Sequence, residues 1–183
     1  MSRTLFLAAL LFAALAGTAQ AGVRIFSYDP ANEVTRRTAG PLTFEFDQRL
    51  IFVTVLRVRS TEGRASADLK PADEGVLGHG GLSAVIGDQA RERDLYEVEP
   101  SAEGLDLIHA FCPGSRRAWL AFGRVAQNAD LRVQVLGDDP KAAPRAGHAR
   151  LCQTLDFNFH GEWRLPPGPG VPMRDIPIPR FPY

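Results

Sequence analysis

Between Arg150 and Trp163 the chain reads RLCQTLDFNFHGEW. Leu151, Leu155, Phe157, Phe159 and Trp163 fall on odd positions, and Cys152, Thr154, Asp156, Asn158, His160 and Glu162 on even ones. Only Gln153 and Gly161 break the apolar row. A period of two marks a β-strand with one face on a core and the other in water. At about 3.3 Å per residue the run reaches roughly 40 Å, longer than most strands. A bend or bulge is therefore expected near Gly161. Cys152, one of two cysteines, pins this strand to another part of the sheet.

The opening residues bear on compartment. Arg3 precedes an apolar run from Leu5 to Ala16, and Ala19-Gln20-Ala21 offers small residues where a signal peptidase reads. Residues 1–21 are read as a cleaved secretory signal, because the run is short for a bilayer span. An uncleaved anchor is the rival reading. No later segment has the apolar length of a membrane helix, so no span is expected after cleavage. The predicted location is the periplasm or outside the cell. About 160 residues remain, enough for one domain with a core of its own. In an oxidising compartment Cys112 and Cys152 are expected to form one disulfide closing a loop of about 40 residues. Nothing resembling C-x-x-C suggests a reactive thiol. Lys plus Arg and Asp plus Glu number 21 each. That balance argues against nucleic acid and against a polybasic membrane surface as partners.

Strand patterns recur along the mature chain. Val23–Tyr28 alternates and ends at Asp29-Pro30, and Asn32–Pro41 reads as a loop. Leu42, Phe44 and Phe46 give a half-buried strand, Asp47-Gln48 a turn, and Leu50–Arg59 a central strand that completes a hairpin. Ala65–Leu69, Leu82–Ile86 and Leu95–Val98 read as short strands, with Gly75–Gly81 a loop. A helix over Asp88–Leu95 competes with the strand reading there. Leu105, Leu107, His109 and Phe111 alternate as a strand that turns at Cys112-Pro113-Gly114-Ser115. Arg117–Val125 and Leu131–Leu136 continue an antiparallel meander, and Gly137–Ala149 loops back to the Arg150–Trp163 run. The fold class expected is all-β, a mostly antiparallel β-sandwich of roughly eight strands, immunoglobulin-like or jelly-roll in arrangement. It occupies residues 22–164.

Residues 165–183 hold seven of the fourteen prolines. They form an extended tail unable to pair as an interior strand. The apolar side chains between its prolines, Phe181 and Tyr183 among them, suit docking into a partner's groove. Packing over the domain's own sheet edge is the alternative. On the last strand Thr154, Asp156, Asn158, His160 and Glu162 would share one polar face, spaced about 7 Å apart and able to share a ligand such as a sugar; a solvated outer face, common in antiparallel sheets, is the alternative. Asp156, Asn158, His160, Phe181 and Tyr183 are thus the candidate binding residues.

Catalytic and metal signatures are absent from the sequence. His79, His109, His148 and His160 make neither H-x-H nor H-E-x-x-H, so no metal or cofactor is expected. G-x-S-x-G does not occur. Asp106 and His109 face opposite ways if they lie on a strand, and Asp156 and His160 stand about 13 Å apart on a straight one. Gly78-x-Gly80-Gly81 lacks the context of a phosphate loop. The reading is an exported cell-envelope domain of non-enzymatic binding type, its partner a protein or an envelope glycan. The alternative is a small hydrolase with a site built across loops 75–81, 112–117 and 137–149.

Overall fold

The computed structural model describes residues 23–49, 52–60, 65–139 and 149–164. The signal reading over 1–21, the tail over 165–183 with Phe181 and Tyr183, and His148 lie outside them. Eight strands follow in order: β1 (Val23–Pro30), β2 (Leu42–Arg49), β3 (Phe52–Ser60), β4 (Ala65–Pro71), β5 (Asp94–Val98), β6 (Ala118–Phe122), β7 (Leu131–Asp138) and β8 (Ala149–Arg164). Helices α1 (Glu33–Thr38), α2 (Gly81–Ile86) and α3 (Ala102–Phe111) occupy three of the connections. Each strand pairs antiparallel with the next, and β8 returns to β1.

The result is a closed barrel, which corrects the expected sandwich. Alternating in-and-out side chains serve a sandwich face and a barrel wall equally well, so the pattern alone does not separate them. The closure comes from β8. Its first half pairs with β7, from Asp138↔Ala149 to Leu131↔Phe157, and its second half with β1, from Pro30↔Phe157 to Arg24↔Arg164. Phe157 is registered with both neighbours, and at that residue the strand passes from one to the other. Two register shifts make the handover possible. One leaves Cys152 as the extra residue opposite Val135/Leu136, and the other leaves His160 opposite Ser27/Tyr28. The second lies one residue from Gly161, where a bulge was expected. Each shift swaps the faces of the residues beyond it. Leu151 is accordingly 42% exposed and Trp163 39%, whereas Leu155 and Phe157 are buried.

Eight strands enclose an interior that side chains fill. Phe26, Tyr28, Phe44, Phe46, Tyr96, Phe122 and Phe157 are all buried in one cluster. Phe26 meets Phe46 edge-on with ring centroids 4.5 Å apart, and Tyr96 stacks on Phe122 at 5.1 Å. Such aromatic contacts add roughly 0.5–1.5 kcal/mol each beyond area burial. At one mouth the Arg24 Nε–H donates to Glu162 at 2.6 Å while its guanidinium lies 5.2 Å from the Phe26 ring.

Helix α3 closes the opposite end and corrects the strand expected over Leu105–Phe111. Ser101 caps it, its hydroxyl accepting from the Gly104 N–H at 3.1 Å. Gly104, Leu107, Ile108 and Phe111 form its buried face, a helical spacing that the period-two reading overlooked. Leu105 and His109, placed inward by that reading, are exposed. A side chain at position 104 would collide with the Glu99 carbonyl oxygen, so glycine is required where α3 meets the end of β5.

Three further corrections concern connections. Asn32–Pro41 contains α1, capped by Asn32 Oδ1 accepting from the Thr35 N–H at 2.8 Å. Asp47 and Gln48 belong to β2. Leu82–Ile86 is helix α2, and Asp88–Asp94 forms no helix. A 3-10 turn at Glu74–Leu77 and α2 bring Leu77 and Leu82 onto a second cluster with Leu95, Trp119, Ala121 and Leu136. These wall residues alternate with the inward row, so the β4–β5 connection packs on the barrel's outside. That explains why β6 is buried at every position.

Burial raises the pKa of both Tyr28 and Tyr96 above the ordinary phenol range; the nearby Asp130 charge adds to the effect at Tyr28. A folded-state pKa above the unfolded one contributes stability that is complete below the unfolded value, about pH 10, and is lost as pH rises toward the folded value. Stability is therefore expected to fall above about pH 10. Spectrophotometric titration at 295 nm should show both tyrosines ionising together with loss of the fold. With the third tyrosine removed as Tyr183→Phe, ionisation while the far-ultraviolet circular dichroism stays native would contradict this.

Candidate functional site

The handover on β8 leaves a notch on the barrel's outer wall, where β7 begins and β1 ends. A cleft of about 670 Å³ occupies it. One side is built by Ile86 and the segment Gln89–Glu92, which descends from α2. Gly123 and Arg124, following β6, lie next to that segment. Asp130–Arg132 and Gln134 come from the start of β7, and Asp156–Asn158 from β8.

Local hydrogen bonding fixes these pieces. The Arg132 Nε–H donates to Asp156 Oδ1 at 2.6 Å, across a pair that the β7–β8 register sets opposite each other. That bond raises the Arg132 pKa further above its already high value. The Asp156 N–H donates to Thr35 Oγ1 at 3.0 Å, and the Ala31 N–H to the Asp156 carbonyl at 2.9 Å. Helix α1 thereby covers the β8 edge that β1 does not reach. Beyond the start of β7, Asp130 Oδ1 accepts from the Phe159 N–H at 3.2 Å. The Thr154 hydroxyl donates to Gln134 Oε1 at 2.6 Å.

Of the residues singled out by sequence, Asp156 and Asn158 meet in the cleft. His160 does not. As the bulged residue it turns to Asp29, with Nδ1 2.7 Å from Oδ2. Glu162 points inward to Arg24. The continuous polar row expected on β8 is thus broken at His160, by the register shift there. Among the described residues no serine, threonine or cysteine hydrogen-bonds a histidine, and no three His, Cys, Asp or Glu side chains gather as a metal site. Asp106 and His109, read as facing opposite ways on a strand, are three apart on α3. Turns 112–117 and 137–138 do meet: Asp138 Oδ1 accepts from the Arg116 and Arg117 N–H groups at 2.7 and 2.9 Å.

Comparison with protein-family models, curated proteins and solved structures gives no match.

The expected disulfide is present. Cys112 and Cys152 are bonded, with Cα atoms 5.3 Å apart and a separation of 40 in sequence. It joins the end of α3 to the first bulge of β8. Among the described residues no helix is long and apolar enough to cross a membrane.

Sequence reasoning missed Arg91, Glu92, Arg124 and Arg132. The charged segment Asp88–Asp94 was visible, but nothing in it signals that it lies against the start of β7. Glu92 is the least ordinary member, since it is only 6% exposed yet lines the cleft. Its carboxylate has no hydrogen-bond or ion-pair partner among the described residues, although its charge reaches Arg132.

Proposed function

We propose that this chain is an exported binding domain of non-enzymatic type, and that an envelope glycan seats in the cleft at the β8 handover. One observation carries the reading: Asp156 and Asn158 converge with Gln89 and Gln134 around a cavity of about 670 Å³. That size lies within the range of small-ligand sites, roughly 300–1,000 Å³. Amide and carboxylate groups supply both donors and acceptors, as sugar hydroxyls require, and Ile86 and Ala90 add apolar surface. The disulfide supports export, because such bonds persist in oxidising compartments.

Calorimetric titration of the full chain with oligosaccharides released from the cell envelope tests this. A saccharide is expected to bind, and Asn158→Ala to weaken it about tenfold, equivalent to about 1.4 kcal/mol. His160→Ala is expected to leave affinity unchanged. The thermal midpoint of Asn158→Ala should match the parent, since that side chain is exposed. Absence of binding by every saccharide would sink the proposal, as would equal losses from the two variants.

A further inference from the structure

We infer that the cleft's ligand is an anionic saccharide whose hydroxyls are held by Glu92 and whose carboxylate or phosphate is held by Arg91 and Arg124. This rests on the glycan-binding reading and specifies its chemistry. The cleft is lined by three arginines, Arg91, Arg124 and Arg132, and three acidic residues, Glu92, Asp130 and Asp156. Three of the six are already occupied: Arg132 and Asp156 pair with each other, and Asp130 accepts the Phe159 N–H. Glu92, Arg91 and Arg124 are left over.

Glu92 is the decisive member. The residue is 6% exposed and lines the cleft, and its carboxylate, without a hydrogen-bond or ion-pair partner among the described residues, is free to accept from a hydroxyl placed there. Arg91 and Arg124 are exposed and have no hydrogen-bond or ion-pair partner among the described residues. They rise from adjoining backbone: the Arg93 N–H donates to the Phe122 carbonyl at 3.2 Å, and Gly123 lies against the Arg91 carbonyl. Two guanidinium groups on neighbouring segments suit a carboxylate or phosphate. The combination of one hydroxyl-seeking carboxylate with two anion-seeking guanidiniums matches a sugar that carries both groups. Nucleobases would want an exposed aromatic platform. The cleft's one aromatic, Phe157, is 1% exposed.

The test titrates the full chain with matched oligosaccharides in neutral, uronate and phosphorylated forms, alongside inorganic phosphate and an acidic peptide. The uronate or the phosphorylated form is expected to bind at least tenfold more tightly than the neutral one, and the stronger of the two identifies the acidic group. Arg91→Gln and Arg124→Gln should each remove that preference while leaving neutral-sugar binding intact. Glu92→Gln should weaken all three sugars alike. If neutral and acidic sugars bind equally through Asn158, this inference fails and the glycan reading stands. If no sugar binds, both fail. An acidic peptide or inorganic phosphate binding as tightly as the acidic sugar would also overturn it. Arg91 and Arg124 are exposed, so circular dichroism and thermal midpoints of their variants should match the parent and keep each outcome interpretable.

Discussion

Replacing Cys112 and Cys152 together by alanine is expected to lower stability by about 4 kcal/mol, the chain-entropy value for a loop of this length. The bond joins residues 40 apart, and the enclosed segment contains β6, β7 and the start of β8. With both cysteines removed, the unfolded segment regains conformations that the bond forbids. Cys112 is itself buried in the barrel cluster, so some packing loss accompanies the entropic effect. Urea unfolding with and without reductant measures it. At a slope of about 2 kcal/mol per molar urea, the midpoint should drop by roughly 2 M. An unchanged midpoint, with free thiols verified in the reduced sample, would show that the barrel does not depend on this bond.

Truncation of Phe157 to alanine is expected to cost about 3–5 kcal/mol, the usual range for a buried aromatic. The ring is 1% exposed and sits where β8 leaves β7 for β1. A cavity there loosens both seams at once, and the cleft wall moves with them, so saccharide affinity should fall as well. Leu151→Ala is the natural contrast. On the same strand and in the same odd row of the sequence, Leu151 lies outside the first bulge and is largely exposed. Its loss should stay within about 0.5 kcal/mol. Comparable urea midpoints for the two variants would mean that β8 does not switch faces between them.

Much of the strand content was legible in the chain. Tyr28, Phe44, Val133 and Leu155 fall where period-two alternation puts them inside, and the cysteine pair announced its bond. What failed was of three physical kinds. Helix α3 mixes both periods: Leu107 and Phe111 fit an alternating strand, and only the cap at Ser101 and the burial of Ile108 speak for a helix. Closure of the barrel is a global property, set by where β8 ends relative to β1, and no local window contains it. The bulges at Cys152 and His160 each shift one residue, which is enough to reverse the side of every neighbour. That is why Asp156 and Asn158 keep the shared outward face expected of them, while His160 is the bulged residue and Glu162 lies on the other face. Arg91, Glu92 and Arg124 could not be found, because their meeting with β7 and β8 is made by the β4–β5 connection folding over the outer wall.

The pairing of β1 with β8 also sets a schedule. Arg24 and Glu162 bond across 138 residues, so the first strand to be made waits for the last. At about 5–20 residues per second, that wait is roughly 7–30 seconds during synthesis. Meanwhile the hydrogen-bonding edge that β1 will offer to β8 has no native partner and is open to other chains. Contacts this distant in sequence form slowly, since the closing entropy must be met before they contribute. A barrel closed by its final strand cannot be completed piecemeal from the N-terminus. Under the proposed export of this chain, late closure is an advantage: a chain translocated unfolded remains threadable until its last strand has followed its first.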